Sequence, residues 1–217
     1  TPANVKIVAD AMQQIFTNAT IFVGHDLLAS SRALLGNEPG FAAILGTGTN
    51  SCLYDGKEIT LNIDSLGYFL GDEGSGSYIG KRILADYMKG YMPKGLRESF
   101  YDNYALTNED IFDHIYNKPL PNRFCASFSK FIYDFKDNYE DYTHSVVDYA
   151  FTAFFENLVI HYPNYKNYKL NCEQTILLVK QGDFIGKDFE ITPDCFSKTS
   201  GLISIPEDCG VQFTFAK

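Results

Sequence analysis

The chain of 217 residues has no tryptophan, no long apolar run and a shortage of basic residues. A transmembrane helix needs about 20 consecutive apolar residues, and the lack of such a run predicts no membrane partner. The 27 acidic residues outnumber the 18 lysines and arginines, which gives a formal net charge of −9. Because proteins neutralise nucleic acid phosphates with Lys and Arg, this balance argues against a nucleic acid partner. The length is enough for one large domain or two small ones.

Cysteine and histidine are few and scattered. The five cysteines include no Cys-x-x-Cys pair, and the four histidines form no pair at helical spacing. Zinc sites and disulfide frameworks require regular spacings of these residues, so the sequence favours neither. Reduced, mostly buried thiols are typical of cytoplasmic proteins. We therefore expect a cytoplasmic location, and the metal ligands stay unassigned.

The Lys-bearing P-loop, Gly-x-x-x-x-Gly-Lys-Ser/Thr, is missing, but another glycine-rich turn is present. Apolar runs at residues 41–45 and 52–54 flank the five residues Gly46, Thr47, Gly48, Thr49 and Asn50. This arrangement predicts the turn of a β-hairpin. Glycines let a ligand approach the main chain, and exposed amides and threonine hydroxyls can donate to an anion. An ordinary tight hairpin has the same features, so the turn alone does not establish a phosphate site.

One carboxylate stands between a short apolar run and a helical pattern. Residues 20–23 predict a strand, and the apolar spacing of residues 27–35 predicts a helix. Asp26 then lies at a strand-to-helix junction, where it can cap the helix. It can equally face a cleft at the carboxyl end of the strand and accept a proton from a substrate hydroxyl. The residues alone leave both interpretations open.

An acidic, glycine-rich loop precedes the next long helical pattern, residues 78–91. This loop, residues 71–76, contains Asp72, Glu73 and Gly74. Acidic residues in a first helical turn stabilise the helix through its dipole by about 0.3 to 1 kcal/mol. This stabilisation alone could explain why both carboxylates are present. The three glycines favour a further role, since they leave the carboxylates near the surface of a turn. Carboxylates in such a loop suit the hydroxyls of a polar ligand.

Three segments in this order resemble one family. They are HDLLASSRALLG (residues 25–36), ILGTGTNSCLYDG (44–56) and SLGYFLGDEGSGSYIGK (65–81). They are similar to segments of the BadF/BadG/BcrA/BcrD-type ATPases and N-acetylglucosamine kinases, which belong to the actin-like ATPase, sugar kinase and Hsp70 superfamily. PNRFCASFSKF and FTAFFENLVIHYPNYK add to the resemblance, which covers residues 1–171. Three motifs in the correct order are far more specific than any one of them.

The resemblance implies a role for each motif. Asp26 matches the aspartate that acts as general base on the sugar hydroxyl in the kinases. The hairpin that holds the β- and γ-phosphates of ATP is matched by Gly46, Thr47, Gly48, Thr49 and Asn50. The acidic loop that hydrogen-bonds sugar hydroxyls is matched by Asp72, Glu73 and Gly74. ATP, Mg²⁺ and a small-molecule sugar are the implied ligands, and a homodimer is left open.

The fold implied is α/β. It is the second lobe of an actin-like (ribonuclease H-like) ATPase, with a three-stranded antiparallel start and a large helical portion, preceded by the end of the first lobe. Residues 1–37 would form that end, and residues 38–217 the second lobe. The strands are expected from Phe41, from Ser51 and over residues 57–62.

Helical patterns account for most of the remaining sequence. Residues 2–16 have apolar positions on one side of a helix, and residues 71–162 are almost wholly helical in pattern. Within them, residues 146–161 are apolar around most of the helix, which predicts a buried central element. A buried strand is expected at residues 175–179.

The chain departs from the family at both ends. No first phosphate loop precedes the helix at residue 2, and residues 172–217 diverge and contain no Val-Gly-Ser turn for adenosine. Animal kinases of the family carry a tryptophan shortly before the acidic loop, where this chain has Leu66 or a neighbour. We therefore expect a truncated chain that is inactive by itself, and the sugar and the adenosine-binding residues are not identified.

The resulting functional expectation is ATP-dependent phosphorylation of an amino sugar such as N-acetylglucosamine by the full-length parent. Two alternatives stay open: an ATPase that activates a partner enzyme, and a non-catalytic sugar- or nucleotide-binding protein. The scattered cysteines disfavour the activating ATPases, which hold an iron–sulfur cluster between two subunits.

Overall fold

The structure is a computed structural model that describes residues 2–168 and 170–174. In this part of the chain the helices are α1 (Pro2–Ile15), α2 (Asp26–Leu35), α3 (Gly67–Leu70), α4 (Gly76–Lys89), α5 (Lys94–Tyr104), α6 (Asn108–Tyr116), α7 (Pro121–Ala126), α8 (Ser129–Asp134) and α9 (Glu140–Asn157). Two 3₁₀ turns follow, Val159–His161 and Tyr165–Asn167. The strands are β1 (Gly40–Leu45), β2 (Thr49–Tyr54), β3 (Ile59–Asn62) and β4 (Leu170–Gln174).

The four strands form one mixed sheet in the order β3-β2-β1-β4. The antiparallel pair β1 and β2 ends where Leu45 lies opposite Thr49, so residues 46–48 make the connecting turn. β3 is antiparallel to β2, whereas β4 is parallel to β1. The predicted α/β class and the three-stranded antiparallel start are confirmed. The parallel strand β4 was not predicted.

Strand β1 is covered on both of its faces. Ala42 belongs to a small apolar cluster with Leu27 of α2 and Cys52 of β2. Phe41 and Ala43 belong instead to the large core that the sheet shares with the helices. This alternation follows from the two-residue period of a strand, whose successive side chains point to opposite faces. Because β1 is held from both sides, the position of the turn at its end is fixed.

The helical part joins the sheet through buried aromatic residues. Tyr162 is 1% exposed. Its hydroxyl donates to the carbonyl oxygen of Ser51 at 2.8 Å and accepts the N–H of Ile63 at 3.0 Å. The ring of Phe41 meets the Tyr162 ring edge to face at a centroid distance of 5.1 Å. A buried phenol needs such partners, and here they attach the end of the helical part to β2 and β1.

The strand predicted at residues 20–23 is wrong. These residues have no regular secondary structure, and the side chain of Phe22 is 74% exposed. A strand needs a neighbour to satisfy its backbone N–H and C=O groups, and in the described part of the chain no strand pairs with this segment. The short apolar run indicated burial, but it could not supply the partner.

The helix predicted at residues 2–16 is confirmed as α1, and its apolar side is exposed. Within the described residues, no α1 side chain is buried. The helix predicted at residues 146–161 is also present, but it begins earlier, at Glu140, and ends at Asn157. Residues 175–179, predicted as a strand, lie outside the described residues, and the domain division near residue 38 stays a prediction. No helix of the described chain is long and apolar enough to cross a membrane.

Candidate functional site

The hairpin turn lies directly against the start of α4. The carbonyl oxygen of Gly46 accepts the N–H of Gly76 at 2.8 Å, and that of Thr47 accepts the N–H of Ser77 at 3.2 Å. The first N–H groups of a helix have no partner within the helix. Here the turn supplies partners for two of them. The structure therefore brings together two of the predicted motifs, the glycine-rich turn and the acidic loop.

Asp72 forms a second connection between the two motifs. Its side chain is 6% exposed, and its Oδ1 accepts the backbone N–H of Thr49 at 3.1 Å. A Cβ atom on Gly48 would lie 2.9 Å from Oδ2 of Asp72, so glycine is needed there for the close approach. Asp72 itself has a positive φ of 60°, an uncommon conformation for a residue other than glycine. The loop accepts this strain while it holds the carboxylate against the turn.

Thr49 uses both of its donors on the acidic loop. Its N–H binds Asp72, and its hydroxyl donates to the carbonyl oxygen of Glu73 at 2.5 Å. The side-chain oxygen of Asn50 accepts from Asn62 at 2.9 Å. Thr49 and Asn50, both predicted to bind phosphate, therefore form hydrogen bonds within the protein in this structure.

Thr47 and Gly48 are the part of the turn that keeps donors available. Neither backbone N–H donates to another group within the described residues, and both residues are half-buried. Their carbonyl oxygens, by contrast, are used within the protein. That of Thr47 accepts from Ser77 of α4, and that of Gly48 accepts the N–H of Gly46 at 2.9 Å. Adjacent free amides in a turn form a concave donor site that suits an anion.

The rest of the acidic loop packs against α9. Oε1 of Glu73 accepts from the amide of Asn157 at 3.1 Å. Gly74 has a φ of 77°, and a Cβ atom there would lie 3.0 Å from Cβ of Phe154. Glycine is required at this position both for its backbone conformation and for space.

Asp26 lies at the same end of the sheet as the hairpin turn. It is the first residue of α2, and its Oδ1 accepts the N–H of Leu27 at 2.8 Å. The Tyr54 hydroxyl, at the end of β2 away from the turn, donates to the carbonyl oxygen of Gly36 after α2 at 3.1 Å, and Ser31 Oγ of α2 lies 3.2 Å from Cys52 Sγ, midway along β2. The helix therefore runs back along the strand, and its N-terminus lies toward the carboxyl end of β1. The Asp26 carboxylate is exposed, and within the described residues no hydrogen bond joins it to the turn or the loop.

The N-terminal cap predicted as one role for Asp26 is taken by another residue. The cap position is occupied by His25, whose side chain makes no capping hydrogen bond. Asp26 stands one residue later, where a carboxylate still interacts favourably with the helix dipole. Among the described residues, no hydrogen bond reaches its Oδ2.

Lys81 is a site-proximal residue that the sequence analysis missed. Its Nζ donates to the carbonyl oxygen of Tyr68 at 2.8 Å and lies 4.8 Å from the centroid of the Tyr68 ring. Burial lowers the pKa of Lys81, while the negative charges of Asp72 and Glu73 act in the opposite direction. The only signal in the sequence was its position about one and a half helical turns after the acidic loop.

No metal site is evident among the described side chains. In that part of the chain, no group of three or more His, Cys, Asp and Glu residues could hold a metal ion. Cys52 and Cys125 are free and buried, and burial raises the pKa of both thiols.

Comparison with solved structures shows which known proteins have a similar fold. A crystal structure of a "putative N-acetylglucosamine kinase" from Porphyromonas gingivalis superposes with a TM-score of 0.74 at 42% sequence identity, over 79% of this chain and 60% of that one. The fold is similar to that of a sugar kinase. A second such protein, from Chromobacterium violaceum, has a TM-score of 0.51 at 15% identity, over 74% of this chain and 58% of that one. At that identity it supports the fold alone.

The chain spans about 60% of the length of the P. gingivalis protein. No family model matches the sequence. The resemblance to the BadF/BadG/BcrA/BcrD-type ATPases therefore rests on the three motifs, whereas the likeness to a sugar kinase has support from structure.

Among the curated proteins that match the chain, two do so over a short stretch. The β″ subunit of DNA-directed RNA polymerase from Trieres chinensis is 50% identical over 42 residues, which is 19% of this chain and 3% of that subunit. The same subunit from Phaeodactylum tricornutum is 55% identical over 40 residues, 18% of this chain and 3% of that subunit. So short a match carries no function to this chain.

Proposed function

We propose that this chain carries the phosphate- and sugar-binding segments of an ATP-dependent kinase for an amino sugar such as N-acetylglucosamine. The observation that supports this most is the direct attachment of the hairpin turn to the acidic loop, through Thr49 and Asp72. A kinase must hold two substrates side by side, and a phosphate-binding turn joined to an acidic loop would serve both. The 42% identity with the P. gingivalis protein points to the same class.

The proposed roles divide the site between the two substrates. The free N–H groups of Thr47 and Gly48 bind the β- and γ-phosphates, and Gly46, Thr49 and Asn50 give the turn its shape. Asp72 and Glu73 bind sugar hydroxyls, and Gly74 allows their loop to pack on α9. ATP arrives as its Mg²⁺ complex, in which the metal neutralises phosphate charge.

The proposed reaction is an in-line transfer with Asp26 as the base. The Asp26 carboxylate accepts the proton of the attacking sugar hydroxyl. The hydroxyl oxygen forms a bond to the γ-phosphorus while the bond to the β,γ-bridging oxygen breaks, and ADP leaves with that electron pair. Donors of the turn stabilise the charge that develops on the phosphate oxygens.

We assign this activity to the full-length protein, of which the chain carries the segments described. We propose that its small-molecule partners are a sugar and ATP and that it is located in the cytoplasm. The reaction does not require a homodimer, and a homodimer is compatible with it. The 38–217 segment is proposed as the second lobe of an actin-like fold, preceded by the end of the first.

The test is ATP consumption by the full-length protein in the presence of single amino sugars and hexoses. Turnover that requires one amino sugar supports the proposal. Hydrolysis that proceeds equally without sugar would instead indicate an ATPase that acts on a partner. Sugar or nucleotide binding without any turnover would indicate a binding protein.

A further inference from the structure

Lys81 holds the segment that immediately precedes the acidic loop. This lysine lies on α4, and its Nζ donates to the carbonyl oxygen of Tyr68 in α3 at 2.8 Å. α3 has only four residues, and Asp72 follows it after a single glycine. A hydrogen bond from an ammonium group is stronger than one between neutral groups. The position of Asp72 therefore depends on a segment to which Lys81 is attached.

This segment has few other attachments to the body of the protein. Three of its apolar side chains point outward: Leu66 is 65% exposed, Phe69 84% and Leu70 76%. Tyr68 is the aromatic side chain that packs inward, against the large core, and its hydroxyl lies 3.5 Å from the thiol of Cys125. Within the described residues, the backbone of residues 66–70 accepts a hydrogen bond from one side chain outside it, that of Lys81.

The backbone conformation of this segment is strained, so the hydrogen bond from Lys81 to Tyr68 matters more for holding it in place. Leu66 and Gly67 have φ values of 60° and 70°, so the segment starts with two residues in the left-handed region. The carbonyl oxygen of Ser65 accepts the N–H of Asp72 at 3.0 Å, which closes the segment into a compact loop. A left-handed leucine costs conformational energy and persists only when the surroundings enforce it.

The charge of Lys81 suits the loop that it supports. The ammonium group lies 4.8 Å from the centroid of the Tyr68 ring and 5.2 Å from that of the Tyr78 ring. Burial lowers its pKa, and the negative charges of Asp72 and Glu73 act to raise it. The neighbouring cation on α4, Arg82, is engaged elsewhere, in an ion pair with Asp86 at 2.8 Å.

We propose that Lys81 is a positioning residue for the sugar side of the site, where it fixes α3 and thereby the carboxylate of Asp72. The proposal rests on the proposed kinase function for its kinetic consequence. Its structural content, that the hydrogen bond to Tyr68 holds residues 65–72 in place, does not depend on that function.

The first experiment measures amide hydrogen exchange in the chain carrying Lys81→Met. Methionine keeps the length and much of the apolar contact of lysine but cannot donate to the Tyr68 carbonyl. We expect exchange in a peptide that covers residues 65–75 to be about tenfold faster or more, relative to peptides from α9 in the same sample. Lys89→Met, at the exposed end of the same helix, is the matched control and leaves this peptide unchanged.

The second experiment measures kinetics of the full-length protein. Lys81→Met is expected to raise KM for the sugar about tenfold, with KM for ATP unchanged within about twofold. Lys81→Arg keeps a cationic donor and restores most of the sugar affinity. A purely structural loss would raise both KM values or lower the amount of folded enzyme, and the arginine variant separates these cases if the methionine variant folds poorly.

The outcomes are distinguishable. Unchanged exchange at residues 65–75 in Lys81→Met overturns the proposal, and so does a rise of KM for ATP equal to that for the sugar. Faster local exchange together with a wild-type protein that shows no sugar-dependent turnover supports the positioning role and contradicts the kinase function.

Discussion

The carboxylate of Asp72 accepts the backbone N–H of Thr49 at 3.1 Å, which joins the acidic loop to the hairpin turn. These residues are 23 positions apart in sequence. The connection means that the proposed sugar and phosphate sites share one rigid boundary. A change in the turn is therefore expected to disturb the acidic loop, and the first two predictions follow from it.

Gly48→Ala should displace Asp72. The new methyl group would lie 2.9 and 3.0 Å from the two carboxylate oxygens, and the backbone of Gly48 is not in the left-handed region that disfavours alanine. We expect a loss of roughly 1–3 kcal/mol in the free energy of unfolding, because the carboxylate must move. Urea unfolding of the chain measures this. Stability equal to that of the wild type would show that the carboxylate does not occupy this position.

Thr49→Val should weaken sugar binding rather than nucleotide binding. Valine keeps the branched shape and the backbone N–H but removes the hydroxyl that donates to Glu73. Loss of one such hydrogen bond is expected to raise KM for the sugar roughly fivefold in the full-length protein, with KM for ATP unchanged. Thr49→Ser retains the hydroxyl and is the matched control. If KM for ATP rises instead, the Thr49 hydroxyl binds phosphate.

Gly80→Ala should disrupt the contact between α4 and α7. A Cβ atom at Gly80 would lie 1.8 Å from the carbonyl oxygen of Cys125, so backbone atoms must move. We expect a loss of roughly 3 kcal/mol in the free energy of unfolding. The control is Gly95→Ala in α5, whose Cβ atom would meet side-chain atoms of Tyr139, the nearest being its hydroxyl oxygen at 2.5 Å. The end of that side chain can shift more readily than backbone atoms can, and alanine is a better helix former than glycine. Equal effects of the two substitutions would contradict the close contact.

Alkaline pH should destabilise the protein partly through Tyr142. Its hydroxyl donates to the buried carboxylate of Asp86 at 3.2 Å, and burial, with the charge of Asp86, raises its pKa well above the ordinary value. Because the folded state holds this proton more tightly, the stabilisation is complete below the unfolded pKa of about 10 and is lost as the pH rises above it. Stability should therefore fall above about pH 10.

Tyr142→Phe tests this dependence by denaturant unfolding at several pH values. At pH 7 the variant should be less stable by about 1 kcal/mol, through the lost hydrogen bond, and its stability should fall less steeply at high pH. Tyr91→Phe, at a tyrosine that is 70% exposed, should retain the wild-type slope. Parallel curves for the wild type and Tyr142→Phe would exclude the proposed contribution.

The local chemistry of glycine and carboxylates made the motifs predictable from sequence. Gly46 and Gly48 between two apolar runs indicated a hairpin, and the structure has a turn at residues 46–48. The acidic loop was recognised for the same reason. In both cases residue types with special backbone freedom stand next to regular apolar patterns, so a few neighbouring residues determine the local structure.

Contacts between distant residues were not predictable. β4 pairs with β1 through partners such as Leu170 and Phe41, and no local pattern indicates such a pairing. The opposite error occurred at residues 20–23, where an apolar run predicted a strand that lacks a partner in the described chain. The use of both Thr49 donors by the acidic loop, and the attachment of Lys81 to Tyr68, likewise depend on the folded arrangement.

The central claim is sugar-dependent phosphoryl transfer with Asp26 as the base. The most direct measurement is ATP consumption by the full-length protein with a panel of amino sugars, for the wild type and Asp26→Asn. Asp102→Asn, which alters an exposed carboxylate on α5, is the control. The account predicts turnover that requires one amino sugar and falls about 10²–10⁴-fold in Asp26→Asn, while Asp102→Asn retains it. Turnover that is independent of sugar, or that persists in Asp26→Asn, would contradict it.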